Sequence, residues 1–327
     1  MEPDPQTVVV IGAGMGGLAA AIRLAAAGAS VTVIETAETP GGKMRTLPSS
    51  AGPVDAGPTV LTMRHVFDDL FALAGESLDD QITLIPQPIL ARHWWQGSPT
   101  LDLFPDPAAN IEAIRAFAGP REAAAFRRFD ALSAALFAAF DGPVMQAAKP
   151  NLSAIARKAL TQPRLWPALL PGMTLTRLLR LHFRDPRLIQ LFARYATYVG
   201  GRPAHSPGVL ALIWRAEAQG VWAVAGGMHH LAAALAALAE RLGVRFHYAT
   251  RATRIVTQAG RVSGFQIEGG TNGPGEPRNN WFAFEQEGRV EPCVDEDDCH
   301  HRRRRRLAVS TGDRHRPPAC HECCEGL

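Results

Sequence analysis

The feature that most constrains this chain is the stretch from Thr7 to Glu35. Thr7–Ile11 is a β-branched run suited to a buried parallel strand. Gly12-Ala13-Gly14-Met15-Gly16-Gly17 follows, a G-x-G-x-x-G loop. Leu18–Ala27 is alanine-rich and helical, Gly28 is a C-cap, and Ser30–Glu35 is a second strand ending on an acid. In such a βαβ unit Gly12 permits the tight turn, Gly14 lets backbone approach a pyrophosphate, and Gly17 allows close helix–strand packing. The helix start presents free N–H groups to the phosphates, and Glu35 is placed to accept both ribose hydroxyls of an adenosine. A glycine motif alone is also compatible with a structural turn. Here strand, glycines, helix, strand and acid agree on dinucleotide binding, and an acid at position 35 argues against a 2′-phosphate, hence against NADP.

Length and composition set the wider frame. A chain of 327 residues suggests about two domains. With 46% hydrophobic and 20% charged residues it can bury a large core. The net charge of +3 is too weak to suggest a nucleic-acid partner. The five cysteines (Cys293, Cys299, Cys320, Cys323 and Cys324) all lie in the tail, so they cannot form a disulfide framework across the body. The acidic start, MEPDPQ, lacks the basic region of a secretory signal.

Residues 40–60, rich in Gly, Pro and Thr, read as loop. A helix is expected near Val66–Leu73, strands around Ile82–Trp95, and a helical segment over Ile111–Phe140. Residues 142–184 contain no Asp or Glu but carry Lys149, Arg157, Lys158, Arg164, Arg177, Arg180 and Arg184, with Leu165, Trp166, Leu169 and Leu170 among them. Helices continue through Ala193–Tyr198. Leu231, Leu235, Leu238 and Leu242 predict an amphipathic helix ended by Gly243. Val244–Tyr248, Ala252–Thr257 and Val262–Glu268 read as strands, with a turn at Ala259-Gly260.

A second motif points to a family. Pro40-Gly41-Gly42-Lys43-Met44-Arg45 and Val54-Asp55-Ala56-Gly57-Pro58-Thr59 resemble the GG-motif flavoproteins, which include amine oxidases and carotenoid desaturases. The resemblance implies FAD, with Gly42, Lys43 and Arg45 near its diphosphate and Gly57 and Thr59 near the flavin end. It also implies an α/β fold: a Rossmann-like FAD-binding domain with an inserted α+β substrate domain. The expected partition is 1–62 and 225–270 for the FAD-binding domain, 63–224 for the substrate domain, and an irregular tail over 271–327.

Asp55-Ala56-Gly57-Pro58-Thr59-Val60, Tyr198–Pro203 and Val221–Met228 resemble the phytoene-desaturase branch. Gly41–Met63 and Arg92–Pro105 resemble in particular the 3,4-desaturases of acyclic carotenoids in purple photosynthetic bacteria. The resemblance implies desaturation of a 1-hydroxy- or methoxyneurosporene, and a backbone near Thr250–Ala252 passing the adenine. A lipid-soluble substrate implies peripheral attachment to the cytoplasmic face of the inner or photosynthetic membrane, with residues 142–184 as the docking surface. No pattern marks a catalytic acid or base or an electron acceptor. His65, His93, His205, His229 and His230 are candidates by type only, and Trp94-Trp95 is compatible with a polyene tunnel or with core packing.

After Gly270 the family pattern is expected to continue. Instead come the acidic cluster Asp295–Asp298, the run Arg302–Arg306 and Cys320-His321-Glu322-Cys323-Cys324. Their spacing forms no regular pair of metal-ligand knuckles, and the arginines lack an aromatic platform for nucleic acid. The break is read as a change of reading frame, which would leave the family's C-terminal part missing.

Overall fold

The computed structural model describes residues 7–147, 149, 151–258, 261–271, 277–284 and 290–293. The chain begins β1 (Thr7–Ile11), α1 (Met15–Ala26), β2 (Ser30–Ile34), β3 (Thr46–Leu47), β4 (Val54–Asp55), α2 (His65–Ala72), α3 (Leu78–Gln81). It continues β5 (Leu84–Pro86), β6 (Ala91–His93), β7 (Leu101–Leu103), α4 (Pro107–Ala118), α5 (Pro120–Phe140), α6 (Leu152–Thr161), α7 (Trp166–Leu169). Next come α8 (Leu175–His182), α9 (Pro186–Ala193), α10 (Leu212–Ala218), β8 (Trp222–Val224), α11 (Met228–Arg241), β9 (Arg245–His247). The last described elements are β10 (Arg251–Gln258), β11 (Arg261–Thr271), β12 (Pro277–Phe284) and β13 (Val290–Cys293).

Two compact units result. One comprises Met1–Gly57, Leu70–Ser77 and His229–Leu327; the other comprises Pro58–Asp69 and Leu78–Met228. The first unit holds a parallel sheet in the order β1-β2-β9, with Thr7 opposite Ser30 and Val33 opposite Phe246. β2 fits the pattern of a buried strand, with Val31 and Val33 buried, whereas β1, expected to be buried as well, is only half-buried and leaves Ile11 exposed. Leu18, Ala21 and Ile22 form the buried stripe of α1, and Leu231, Leu235 and Leu238 that of α11. An antiparallel sheet, β10-β11-β12-β13, brings Phe265 and Ile267 against Ile34 and Val9.

The second unit is mainly helical, with Phe126, Phe129, Phe183, Phe192 and Trp214 buried in one core. Glu122, itself buried, accepts the backbone N–H groups of Arg184 and Asp185 at the start of α9. Asp185 caps that helix from outside by accepting from Arg187 N at 2.9 Å.

Several expectations are corrected. The helical segment 111–140 is two helices, because Gly119 (φ 92°, ψ 170°) leaves helical space and Pro120 opens α5 as its first residue. The loop over 40–60 contains the β3–β4 hairpin. Ile82–Trp95 yields two short strands that do not pair with each other: β5 pairs with the distant β8, and β6 with the next strand, β7. Backbone order also continues past Gly270, where β12 pairs with β11 (Phe265 opposite Phe282) and β13 with β12. Ladder hydrogen bonds do not depend on hydrophobic alternation, and Trp281-Phe282-Ala283-Phe284 is a run of high strand propensity. The Ala259-Gly260 turn, the Asp295–Asp298 and Arg302–Arg306 clusters and the cysteines after Cys293 lie outside the described residues.

Candidate cofactor-binding site

The glycine loop joins β1 to α1 by backbone alone. Gly12 takes φ 101° and donates its N–H to Ile34 O at 2.7 Å. A Cβ on Gly17 would lie 1.9 Å from Gly12 O, so only glycine lets α1 seat this close to the loop. Gly14, the N-cap of α1, is different: a Cβ there would meet no protein atom within 4 Å. Close approach at Gly14 is therefore left open to something other than this chain. The first turn of α1 has no acidic residue and no side-chain cap, so its N–H groups remain available to an anion.

Glu35 is half-buried at the end of β2. Its Oε2 accepts from Ala13 N at 2.6 Å and its Oε1 from Ala37 N at 2.8 Å. A carboxylate has about four acceptor positions, so room remains for two hydroxyl donors. The segment after β9 closes on the same residue: Thr250 N donates to Glu35 O at 2.8 Å and Ala249 N to Ala37 O at 3.0 Å. Ala249 holds φ 49°, strained for a residue with a Cβ.

The second glycine pair rests on the first loop. Gly41 donates to Ala13 O at 2.8 Å and bridges Gly14 in parallel, and a Cβ on Gly42 would lie 3.2 Å from Gly14 Cα. Lys43 and Arg45 are exposed, and neither forms an ion pair among the described residues. Gly57 packs on Lys43, whose carbonyl O would be 1.9 Å from a Cβ there. Gly12, Gly14, Gly17, Glu35 and Gly42 thus form one backbone-bonded cluster with Lys43 and Gly57 at its margin. Thr59 is exposed and belongs to the second unit. These features fit a dinucleotide: an unfilled space over Gly14, an uncapped helix start, and a carboxylate with spare acceptors.

The histidines separate by position. His65, His205 and His230 are exposed. His93 and His229 each keep a buried ring nitrogen (Nε2 and Nδ1 respectively) with no hydrogen-bond partner among the described residues. Burial, and then the Arg194 charge, hold His93 below its ordinary pKa. The tryptophan pair splits: Trp94 is 75% exposed, while Trp95 packs on Phe117 and donates to Gln190. A polar cluster that sequence reasoning missed lies in the second unit. There Glu217, buried, accepts from Arg194 at 2.6 Å and from the Tyr195 hydroxyl at 2.5 Å. Burial pushes the Tyr195 phenol well above its ordinary pKa. In the sequence Glu217 is one acid between Trp214 and Trp222, with nothing local to tie it to Arg194.

Comparison with known proteins follows the same lines. The family model described as flavin containing amine oxidoreductase matches residues 15–275. The chain is 65% identical to a hydroxyneurosporene desaturase of Cereibacter sphaeroides over 82% of its length and 54% of that protein's. It is 61% identical to a hydroxyneurosporene desaturase of Rhodobacter capsulatus, covering 82% of this chain and 54% of that one. A phytoene dehydrogenase of Streptomyces griseus is 35% identical, covering 78% of this chain and 50% of that one. The chain thus spans about half the length of the curated relatives it matches. A solved protein from Pyrococcus furiosus shares the fold, with TM-score 0.52 at 13% identity over 84% of this chain and 56% of that one. With the motifs, their geometry and the family model in agreement, this chain belongs to the flavin-containing amine oxidoreductase family.

Proposed function

We propose that this chain binds FAD at the Gly14–Glu35 cluster and forms part of a desaturase that introduces the C-3,4 double bond into 1-hydroxy- or methoxyneurosporene. The observation that carries the reading is the identity gap: 65% and 61% to hydroxyneurosporene desaturases against 35% to a phytoene dehydrogenase. FAD bound there would supply the two-electron acceptor for the hydride that the substrate loses from one carbon as its neighbour loses a proton. The start of α1 and the open face of Gly14 hold the diphosphate, and Glu35 accepts the ribose hydroxyls. Gly42 allows close approach, Lys43 and Arg45 offset the diphosphate charge, and Gly57 and Thr59 lie toward the flavin. The conjugated chain spreads positive charge at the reacting carbon, so the neighbouring proton could leave to a weak base such as water, and the protein mainly orients the polyene.

The test is product analysis after expression with 1-hydroxyneurosporene, neurosporene and phytoene. Conversion of the hydroxylated carotenoid alone is the expected result. Desaturation of phytoene would replace this reading with that of a phytoene desaturase. A colourless purified chain without a flavin spectrum would count against this reading.

A carotenoid substrate also asks for a lipid surface, and the second unit has a suitable one. Leu160 (76% exposed), Trp166 (49%) and Leu170 (53%) line a shallow cavity of about 240 Å³ with Leu169 and Pro171. Exposed Arg157 and Arg164 belong to the same acid-free stretch. Leu165 takes no part, because it is fully buried in the core. Among the described residues no helix is long and apolar enough to cross a membrane. The docking proposed is peripheral, and a carotenoid made at the inner or photosynthetic membrane would place it on the cytoplasmic face. Cosedimentation with anionic liposomes should fall sharply in a Trp166→Ala, Leu169→Ala, Leu170→Ala variant; unchanged binding rules this surface out.

A further inference from the structure

The first unit contains its helix-to-strand crossover twice. In one copy α1 ends at Ala26, Gly28 turns at φ 88°, and β2 begins at Ser30. In the other α11 ends at Arg241, Gly243 turns at φ 90°, and β9 begins at Arg245, with the same offsets. β2 and β9 are parallel neighbours, so both helices begin at the carboxyl edge of one sheet. In open parallel sheets that edge is where ligands bind.

The start of α11 is tied to the glycine cluster. A Cβ on Gly41 would come within 3.0 Å of Ala232 Cβ, and Gly41 is the residue bonded to Ala13 and bridged to Gly14. His229 lies three residues before Ala232, hence on the same helix face and one turn nearer the sheet edge. A helical side chain leans toward its own N-terminus, which carries the imidazole further that way. Its Nδ1 is buried and has no hydrogen-bond partner among the described residues. The ring meets His230 edge-on at 4.4 Å, a contact that leaves Nδ1 unsatisfied. A buried orphan nitrogen is costly and uncommon, and calls for a partner.

We propose that His229 is a cofactor-contacting residue whose Nδ1 hydrogen-bonds an oxygen of the diphosphate–ribityl stretch of FAD. The inference rests on the flavin reading and assigns a role to a histidine that motif spacing leaves unassigned. As an N–H donor, Nδ1 would find in a phosphate or hydroxyl oxygen the acceptor that the described residues do not supply.

The test is titration of the flavin-free full chain with FAD, FMN and ADP, read by fluorescence and calorimetry. His229→Ala should weaken FAD about 5- to 10-fold, the loss of one buried hydrogen bond. His229→Asn, whose amide nitrogen can occupy the Nδ1 position, should stay within about 2-fold of the parent. His230→Ala, at an exposed neighbour, should leave affinity unchanged. Equal loss for ADP places the contact on the diphosphate, whereas loss for FMN and FAD but not ADP places it on the ribityl chain. FAD affinity unaltered in His229→Ala overturns the proposal. So does equal weakening in the Ala and Asn variants with a lowered Tm, which marks a packing role. Glu35→Ala separates the two levels. If it abolishes FAD binding while His229→Ala leaves the affinity unaltered, the flavin reading stands and the His229 assignment falls. If the parent chain takes up no flavin, the reading itself fails, and the His229 contact with it.

Discussion

The glycine cluster of the first unit and the Glu217 cluster of the second are built from opposite materials. The first joins backbone to backbone: Gly12 N to Ile34 O, Gly41 N to Ala13 O, with Gly17 and Gly57 allowed only because they lack a Cβ. Its one charged side chain, Glu35, is held by two backbone N–H groups. The second joins side chain to side chain, Arg194 and Tyr195 to Glu217, inside an aromatic core. A backbone cluster keeps its shape while leaving an open face for a ligand. A side-chain cluster in a core spends its polar atoms on one another and fixes helices in register.

Substitutions should separate the two, beginning with the largest effect. Gly17→Val would drive a branched side chain into Gly12 O and should cost more than about 4 kcal/mol, seen as an unfolded or aggregated product in urea titration. Gly28→Ala, positive in φ but open around its Cβ, should cost only about 1–2 kcal/mol. If the two cost the same, close approach is not what the glycine loop requires. Glu217→Ala leaves Arg194 and the Tyr195 hydroxyl without their acceptor and should cost about 3–5 kcal/mol, with flavin affinity unchanged. Glu35→Ala should show the converse: about 1–2 kcal/mol from the two lost N–H bonds, but a large loss of flavin binding. Were Glu217→Ala to abolish flavin uptake in a folded chain, the division of labour between the clusters would be wrong.

The smallest effect is in pH. His93 and His182 are held below the ordinary histidine value of 6.5, chiefly by burial. The unfolded chain therefore binds protons at a higher pH than the fold does, and stability should fall as pH drops below about 6.5. His93→Phe should flatten part of that slope in urea midpoints measured between pH 7 and pH 5. A steeper slope in the variant would mean that another group carries it.

The glycine cluster was legible in the sequence because its constraints are local. Gly12, Gly14 and Gly17 lie within one turn of loop and helix, and Glu35 follows by a fixed strand length, so spacing carries geometry. The docking surface proposed for residues 142–184 is read from charge and apolar content, and the fold corrects it at one residue. Charge and apolar content mark residues 142–184, but the sequence could not separate Leu165, buried at the core, from Trp166, exposed beside it. Adjacent residues on a helical turn face different ways, and their burial depends on what packs above them. The break at Gly119-Pro120 was written in the residues but hidden by the alanine-rich periodicity on either side of it.

By itself the sequence determined the βαβ unit with its glycines and the acid that follows β2, because their spacing is local; that the second glycine pair rests on the first loop was decided by the tertiary structure. Only the tertiary structure decided that β9 returns beside β2, that Thr250 and Ala249 close over Glu35, that Arg194 meets Glu217, and that the His229 nitrogen is buried without a partner. Each of these joins residues far apart in the chain, or depends on what surrounds a side chain, and neither property is encoded in local spacing.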